Sequence, residues 1–383
     1  MGNEDGWKMA KLNAAESIRG LACLAVVFSH LSLSFFPYLH HFDVNEKADN
    51  AMVYAIHHSP FAFWYSGSAA VFVFFVLSGY VLSYAILKSP NNIQDKIKMM
   101  MVKRYPRLMI PALGSCLLIW LCFKFIYIDS HAVGGWLQAY VTQTFTLKHA
   151  IYEGTIGSFF FAESDTNWVL WTMNIELFGS FTLFILLYLY SFKKSAFFIA
   201  SVVLPCFAYY WKGEGFFWGI LCFVIGIYFY LYGRTLKTST SILIFILGLY
   251  LAGAHNTSMA YAWIYRILGE NTYEYCNVFA GILIVYSVLM GKKLSEMLDK
   301  KPLVWLGKLS FSIYLLHLLM VYLVCIPLFN VLLNLGTGYA FSVIIASTIC
   351  ILVTFLVSDL YSRYVDQFAI DVGNRLTKVI LKK

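Results

Sequence analysis

Long apolar stretches follow one another along the whole chain and restrict what it can fold into. A helix that crosses a bilayer needs about 20 mostly apolar residues, because the hydrocarbon core is about 30 Å thick and a helix rises about 1.5 Å per residue. Ten stretches approach this length, at approximately 19–37, 64–87, 108–128, 168–191, 196–211, 216–233, 239–254, 277–290, 304–333 and 338–360. The sequence therefore predicts an all-α, polytopic integral membrane protein, with residues 1–383 forming one membrane-embedded domain.

The distribution of charge predicts how the chain lies in the membrane. Only 13% of the residues are charged and 60% are hydrophobic, whereas soluble domains carry roughly 25% charged residues. Most of the 28 Lys and Arg residues fall in every second connecting segment, which is the pattern of cytoplasmic loops. Ten passes then place both termini, and a tail over 361–383, on the cytoplasmic side of a cytoplasmic membrane. The net charge of +8 belongs to these short loops beside membrane lipids, so it does not indicate nucleic-acid binding.

Cysteines and loop histidines do not predict a metal site. The eight cysteines lie mostly within apolar stretches, and none shows a CxxC or Cys/His ligand spacing. The outer segment 38–63 has no carboxylate or cysteine at ligand spacing, so we expect its histidines to be solvated loop residues: His40, His41, His57 and His58. A second outer segment, 129–167, is rich in glycine and aromatic residues and is long enough to cover a site or bind a polar acceptor.

Three ionisable side chains fall at similar depth in three different apolar stretches. His30, Glu176 and His317 all lie in the central third of a core about 30 Å thick, counted at about 1.5 Å per residue. Arg19 precedes His30 by eleven positions, which places both on one helix face about 16 Å apart. Such groups are costly in hydrocarbon and need partners, so we expect them to converge on one polar cavity. The alternative for each histidine is ordinary packing, with a backbone carbonyl or Tyr314 as the partner of His317.

Two further stretches have both a functional and a structural interpretation. Lys103, Arg104 and Arg107 form a compact basic cluster at the predicted inner end of a helix, where guanidinium groups suit phosphate oxygens. The same cluster is also typical of anchoring at a cytoplasmic surface or of lipid head-group binding. The stretch from Gly67 to Tyr80, which contains Ser78, has the small residues of tightly packed transmembrane helices.

Taken together and in order, these motifs resemble the membrane-bound acyltransferase-3 family of polytopic sugar O-acyltransferases. The resemblance covers essentially the whole chain and rests on six motifs: Arg19-x10-His30, GSAAVFVFFVLSGY from Gly67, Arg104-x-x-Arg107, the W-T-x-x-x-E pattern of Trp171 to Glu176, LGKLSFSIYLLH ending at His317, and YSRYVDQFAI from Tyr361. Each motif is weak alone, but six in this order on a ten-span chain are specific.

The resemblance implies a role for each matching residue. His30 corresponds to the catalytic histidine and Arg19 to its paired arginine, while Glu176 corresponds to a carboxylate near the reaction chamber. We expect Glu176 to orient and stabilise the imidazolium of His30, as a carboxylate does in other acyl-transfer sites. The basic cluster corresponds to the acyl-donor site: Arg104, Arg107 and Lys103. The residues that would line the chamber are His317, Tyr314, Trp171 and Ser78.

The resemblance also implies the substrates. Acyl-coenzyme A would be the co-substrate at the cytoplasmic face, with no bound cofactor and no metal. The acceptor would be a hydroxyl of an extracytoplasmic glycan or lipid-linked glycan, such as O-antigen, capsule or exopolysaccharide, and acetyl is the commonest acyl group. The competing hypothesis is a transporter of a small solute or protons that uses the buried His and Glu as a relay. We find no paired interrupted helices in the two halves of the sequence, which such transporters usually have.

Overall fold

A computed structural model describes residues 2–43, 45–48, 50–88 and 92–381, with side chains from Met9 onward. The last two residues of the predicted tail, Lys382 and Lys383, lie outside this range. The described chain is helical and has no β-strand, only an isolated bridge between Leu236 and Gly291. The all-α prediction is confirmed.

Seventeen α-helices follow one another in the described residues. In chain order they are α1 Gly2–Phe35, α2 Ala51–His57, α3 Gly67–Leu87, α4 Ile93–Phe125, α5 Gly135–Val141, α6 Leu147–Tyr152, α7 Thr172–Phe192, α8 Lys194–Lys212, α9 Glu214–Tyr232, α10 Thr238–Ala252, α11 Ala262–Leu268, α12 Thr272–Met290, α13 Lys292–Leu298, α14 Lys301–Met320, α15 Ile326–Asn334, α16 Tyr339–Tyr361 and α17 Gln367–Ile380. Three wider π-helical segments extend α6, α14 and α16: Glu153–Phe161, Val321–Cys325 and Ser362–Asp366.

Each of the ten predicted stretches falls on a helix, which confirms a polytopic membrane protein. Nine described helical segments are long and apolar enough to cross a bilayer, but α10 has only 15 residues and is about 22 Å long. It begins beside the end of α12, where the Leu236 N–H donates to the Met290 carbonyl at 2.8 Å. Just after its other end, Gly253 lies against Pro60, shortly before α3 begins. This packing agrees with ten passes, but the count, and with it both termini on one side, stays a prediction.

The helices α1 and α14 make the most extensive contact in the bundle and carry two of the candidate residues, His30 and His317. Glycines allow the close approach. A Cβ atom on Gly20 would lie 2.7 Å from the backbone nitrogen of Gly307, and a Cβ on Gly307 would overlap the Glu16 carbonyl. Small residues at a helix crossing let two backbones pack directly, and here they fix how α1 faces α14.

The second long outer segment covers the face of the bundle at which α1 ends, which we call the outer face. The N–H of Gly134 donates to the Ser34 carbonyl at 2.7 Å, near the end of α1. Farther along, the side-chain amide of Asn167 donates to the Leu315 carbonyl of α14 at 3.0 Å. Residues 129–171 therefore form a layer over the outer ends of α1 and α14, as the sequence suggested for part of this segment.

Candidate functional site

The first feature of the site is a contact between two histidines. The Nδ1 atom of His30, on α1, lies 2.7 Å from the Nε2 atom of His317, on α14. The two ring planes are within 4° of parallel, and the His317 side chain is buried. The predicted convergence of these two histidines is therefore present in the structure. Both alternatives for His317 hold at once, because it contacts His30 and also backbone carbonyls.

These carbonyls fix which nitrogen of each ring carries a proton. The Nδ1 atom of His317 lies 2.8 Å from the carbonyl oxygen of Tyr314 and 3.1 Å from that of Ile313. A carbonyl only accepts, so this Nδ1 donates, and in the neutral ring Nε2 is left as an acceptor. His30 must then donate from Nδ1 to His317. When both rings are neutral, the Nε2 atom of His30 therefore carries a free lone pair.

A cavity of about 440 Å³ opens beside His30 on the outer face, and we call it the outer cavity. Its walls combine indole rings with polar side chains: His30, Trp136, Gln143, Ser164, Asp165, Trp168 and Trp171. The ring of Trp136 stacks on His30 with 5.1 Å between centroids and packs edge-on against Trp168. All of these residues except His30 belong to the layer formed by residues 129–171, which we call the outer layer, so that layer builds most of the cavity.

Glu176 has other partners than the ones predicted. Its carboxylate forms an ion pair with Arg104 of α4 and accepts a hydrogen bond of 2.8 Å from the hydroxyl of Ser78. The guanidinium of Arg104 also donates to Ser180 at 2.7 Å. The described residues contain no hydrogen bond or ion pair between Glu176 and His30. The expectation that Glu176 orients this imidazole is therefore wrong in this structure, because α7 packs against α3 and α4 instead of α1.

The basic residues expected at the donor site separate into two groups. Lys103 and Arg107 line a second cavity of about 360 Å³ between α4 and α17, together with Lys96, and we call it the inner cavity. Arg104 is not among its lining residues, since its guanidinium turns to Glu176. Arg19 pairs with Glu16 one turn earlier on α1, with 3.0 Å between the charged groups.

The remaining chamber residues take distinct positions. The hydroxyl of Tyr314 is buried and donates to the Val169 carbonyl at 2.9 Å, which ties α14 to the turn before α7. Trp171 lines the outer cavity, whereas Ser78 belongs to the Glu176 ion pair. Only Trp171 of these three therefore reaches the space beside His30.

The loop histidines differ from the expectation of solvated side chains. His40 and His57 are buried, and both lie within 6 Å, centroid to centroid, of a further histidine, His255. Burial lowers the pKa of both His40 and His57 to about 4. His57 is hydrogen-bonded on both ring nitrogens, to the Leu39 carbonyl and the Thr257 hydroxyl, each at 3.0 Å. These rings are neutral packing elements of the outer segment 38–63, so the expectation of solvation is wrong for His40 and His57.

Comparison with known proteins assigns the chain to a family. The acyltransferase-3 model, described as an acyltransferase domain, matches residues 12–363. The chain belongs to the acyltransferase-3 family. No curated protein and no solved structure gives a significant match. Family membership makes this chain a multi-pass membrane acyltransferase, in agreement with the resemblance found in the sequence.

Several residues of the outer cavity were not identified from the sequence. These residues lie within or next to the outer segment 129–167: Trp136, Gln143, Ser164 and Trp168. Its richness in glycine and aromatic residues indicated a covering role, but no periodic pattern within it shows which side chains turn toward α1. Only the fold of the segment selects them.

Proposed function

We propose that this acyltransferase is an O-acetyltransferase that moves an acetyl group from acetyl-coenzyme A at the inner face to a hydroxyl of an extracytoplasmic glycan. The observation that supports this most is the contact between Nδ1 of His30 and His317, which leaves Nε2 with a lone pair on a ring that lines the outer cavity. An imidazole held in one tautomer is suited to take a proton from an alcohol near neutral pH. His317 supports this role because it holds the other nitrogen of the ring.

The chemical step follows from this geometry. The acceptor hydroxyl gives its proton to Nε2 of His30 while its oxygen attacks the thioester carbonyl carbon. The carbon–sulfur bond then breaks, and the thiolate of coenzyme A leaves and takes up the proton. In the alternative route the same Nε2 attacks the thioester first and forms an acyl-imidazole, which the hydroxyl then resolves. Both routes use the same nitrogen and give the same products.

The outer cavity has the composition of a site for a polar, ring-shaped acceptor. Trp136, Trp168 and Trp171 offer flat apolar faces, and Gln143 and Asp165 offer hydrogen-bonding groups at the rim. A sugar ring presents apolar C–H faces and polar hydroxyl edges, which matches this combination. A volume of about 440 Å³ accommodates a monosaccharide unit of a longer chain.

The inner cavity supports the donor assignment. Three cationic side chains line it, Lys96, Lys103 and Arg107, and phosphate groups of coenzyme A are strongly anionic. The ion pair between Arg104 and Glu176 lies apart from this lining, so we assign it to the packing of α4 against α7 and not to donor binding. This revises the donor set to Lys103 and Arg107, with Lys96 added.

The test measures transfer by the full-length chain in lipid nanodiscs, without a membrane gradient. Radiolabelled acetyl-coenzyme A is supplied with candidate glycans, and release of the free thiol and labelling of the glycan are followed together. We expect His30→Ala to abolish both signals, whereas the control His131→Ala, a change in an outer loop residue that is 89% exposed, leaves them unchanged. Full turnover by His30→Ala contradicts the proposal. Absence of gradient-independent turnover in the wild-type protein favours the transporter hypothesis.

A second pair of variants tests the donor site. Arg107→Glu places a carboxylate in the inner cavity and is expected to raise the KM for acetyl-coenzyme A while changing kcat little. The matched control is Arg375→Glu, an exposed arginine on α17 that does not line the cavity. Equal KM values for the two variants would assign the basic cluster to membrane anchoring.

A further inference from the structure

Three side chains of types that can bind a metal ion, His149, Glu153 and Asp165, meet beside the outer cavity, which Asp165 lines. Nε2 of His149 lies 3.4 Å from Oε2 of Glu153 and 3.5 Å from Oδ2 of Asp165. The three ligand atoms all lie within 4.8 Å of one another. They come from α6, from the π-helical segment after it and from the following turn, so the fold and not a short motif brings them together. Thr146 helps to place His149, since its hydroxyl accepts from the His149 N–H at 3.2 Å.

The Glu153 carboxylate is fully buried and is held in one orientation. It accepts the backbone N–H of Thr166 at 2.7 Å and that of Asn167 at 3.0 Å. Burial raises the pKa of Glu153, although both N–H donors oppose that effect. Among the described residues its ion-pair partner is His149 alone, and a buried carboxylate without a Lys or Arg partner gains from a nearby cation.

We propose that His149, Glu153 and Asp165 bind one divalent cation of the Zn²⁺ or Mn²⁺ class. One imidazole and two carboxylates form a donor set that these ions accept. Tetrahedral Zn²⁺ with bonds of about 2.0–2.1 Å keeps its ligand atoms roughly 3.3–3.4 Å apart, close to both measured separations from His149. The N–H groups of Thr166 and Asn167 supply the outer hydrogen bonds that commonly orient a ligating carboxylate.

The ion has a definite structural consequence. It joins the π-helical segment to the turn over residues 162–171, and that turn supplies four of the residues lining the outer cavity: Ser164, Asp165, Trp168 and Trp171. The site is reachable from solvent, because the side chain of Asp165 is 68% exposed and that of His149 is 33% exposed. The cation thus fixes the position of the turn that lines the outer cavity. This structural role does not depend on which acyl group or acceptor the protein uses.

The experiment uses full-length, tag-free protein in nanodiscs, stripped with a chelator and then titrated with Mn²⁺ and, separately, Zn²⁺. Electron paramagnetic resonance counts bound Mn²⁺, and calorimetry follows Zn²⁺. We expect one ion per chain and a higher apparent Tm with either ion. Asp165→Asn and His149→Gln are expected to weaken binding by about tenfold or more, since each removes a ligand. Both positions are partly exposed, so these variants should fold, whereas the buried Glu153 is left unchanged.

The matched control is the exposed pair His131 and Asp129, which lies in the same outer segment at 3.9 Å and has no third ligand. His131→Gln/Asp129→Asn should bind the ion as the wild type does. No stoichiometric binding by the wild type overturns the proposal and leaves His149 as a simple ion-pair partner. Full Zn²⁺ binding by His149→Gln/Asp165→Asn also overturns it and assigns the ion to the buried histidines His40, His57 and His255. Neither result bears on whether His30 transfers an acyl group.

Discussion

A single added methyl group should separate the two helices that carry the histidine pair. In Gly20→Ala the new Cβ lies 2.7 Å from the backbone nitrogen of Gly307, so α1 and α14 must move apart by about 0.7 Å to restore an ordinary contact. If they move as rigid bodies, the 2.7 Å separation between His30 and His317 grows by the same amount. It then exceeds the roughly 3.2 Å limit of a good hydrogen bond. Overpacking of this size costs about 1–3 kcal/mol.

The assay combines thermal unfolding in nanodiscs with nitrogen-15 chemical shifts of labelled histidines, which report the tautomer of each ring. We expect Gly20→Ala to lower the apparent Tm and to mix the tautomers of His30. The control is Gly215→Ala in α9, where no atom lies within 4 Å of the new Cβ, and alanine raises helix propensity by up to about 1 kcal/mol. If Gly20→Ala matches Gly215→Ala in Tm and in histidine shifts, the close contact does not control the pair.

Three further predictions concern single side chains. His317→Leu should lower kcat by about 5- to 150-fold at unchanged donor KM, which is equivalent to about 1–3 kcal/mol for a lost buried hydrogen bond. His317→Gln should recover part of this kcat, because its side-chain oxygen can accept from Nδ1 of His30. Equal kcat in both variants refutes the idea that His317 controls the tautomer of His30. Glu176→Gln should lower stability by about 1–3 kcal/mol, because it leaves the partly buried Arg104 charge without its counter-ion. Glu176→Gln/Arg104→Gln should unfold nearer to wild type, and an unchanged Tm in the single variant contradicts the prediction. Burial lowers the pKa of His40 from 6.5 to about 4, so the unfolded chain binds a proton at higher pH than the folded chain does. The free energy of unfolding should therefore fall by up to about 3 kcal/mol as the pH drops from 6.5 to about 4. Unfolding scans of His40→Gln at several pH values should lack this part of the decrease.

The helices and one half of the site could be predicted from the sequence. Apolar length alone located every predicted span, because in a bilayer the backbone must satisfy its own hydrogen bonds and only helices of sufficient length do so here. The rise per residue gave His30 and His317 similar depths, and the structure joins them. The match over residues 12–363 confirmed the resemblance to the acyltransferase-3 family.

The rest of the candidate site could not be predicted from the depth of each residue in its helix. A predicted depth for Glu176 does not say which helices surround it, and in the structure its carboxylate pairs with Arg104 of α4. The walls of the outer cavity come from an irregular segment, where Trp136 and Asp165 are placed by turns and long-range contacts. The burial of His40 and His57 also depends on long-range contacts, so it could not be predicted from the polar residues of the segment 38–63.

The outer and inner cavities share no lining residue among those described. They are therefore separate spaces in this structure, one between α4 and α17 and one beside His30. Under the proposed function, the donor would bind in the inner cavity and the acceptor in the outer cavity. The proposed transfer would then need a route for the thioester from the inner cavity to His30, and the linings of the two cavities do not meet to form one.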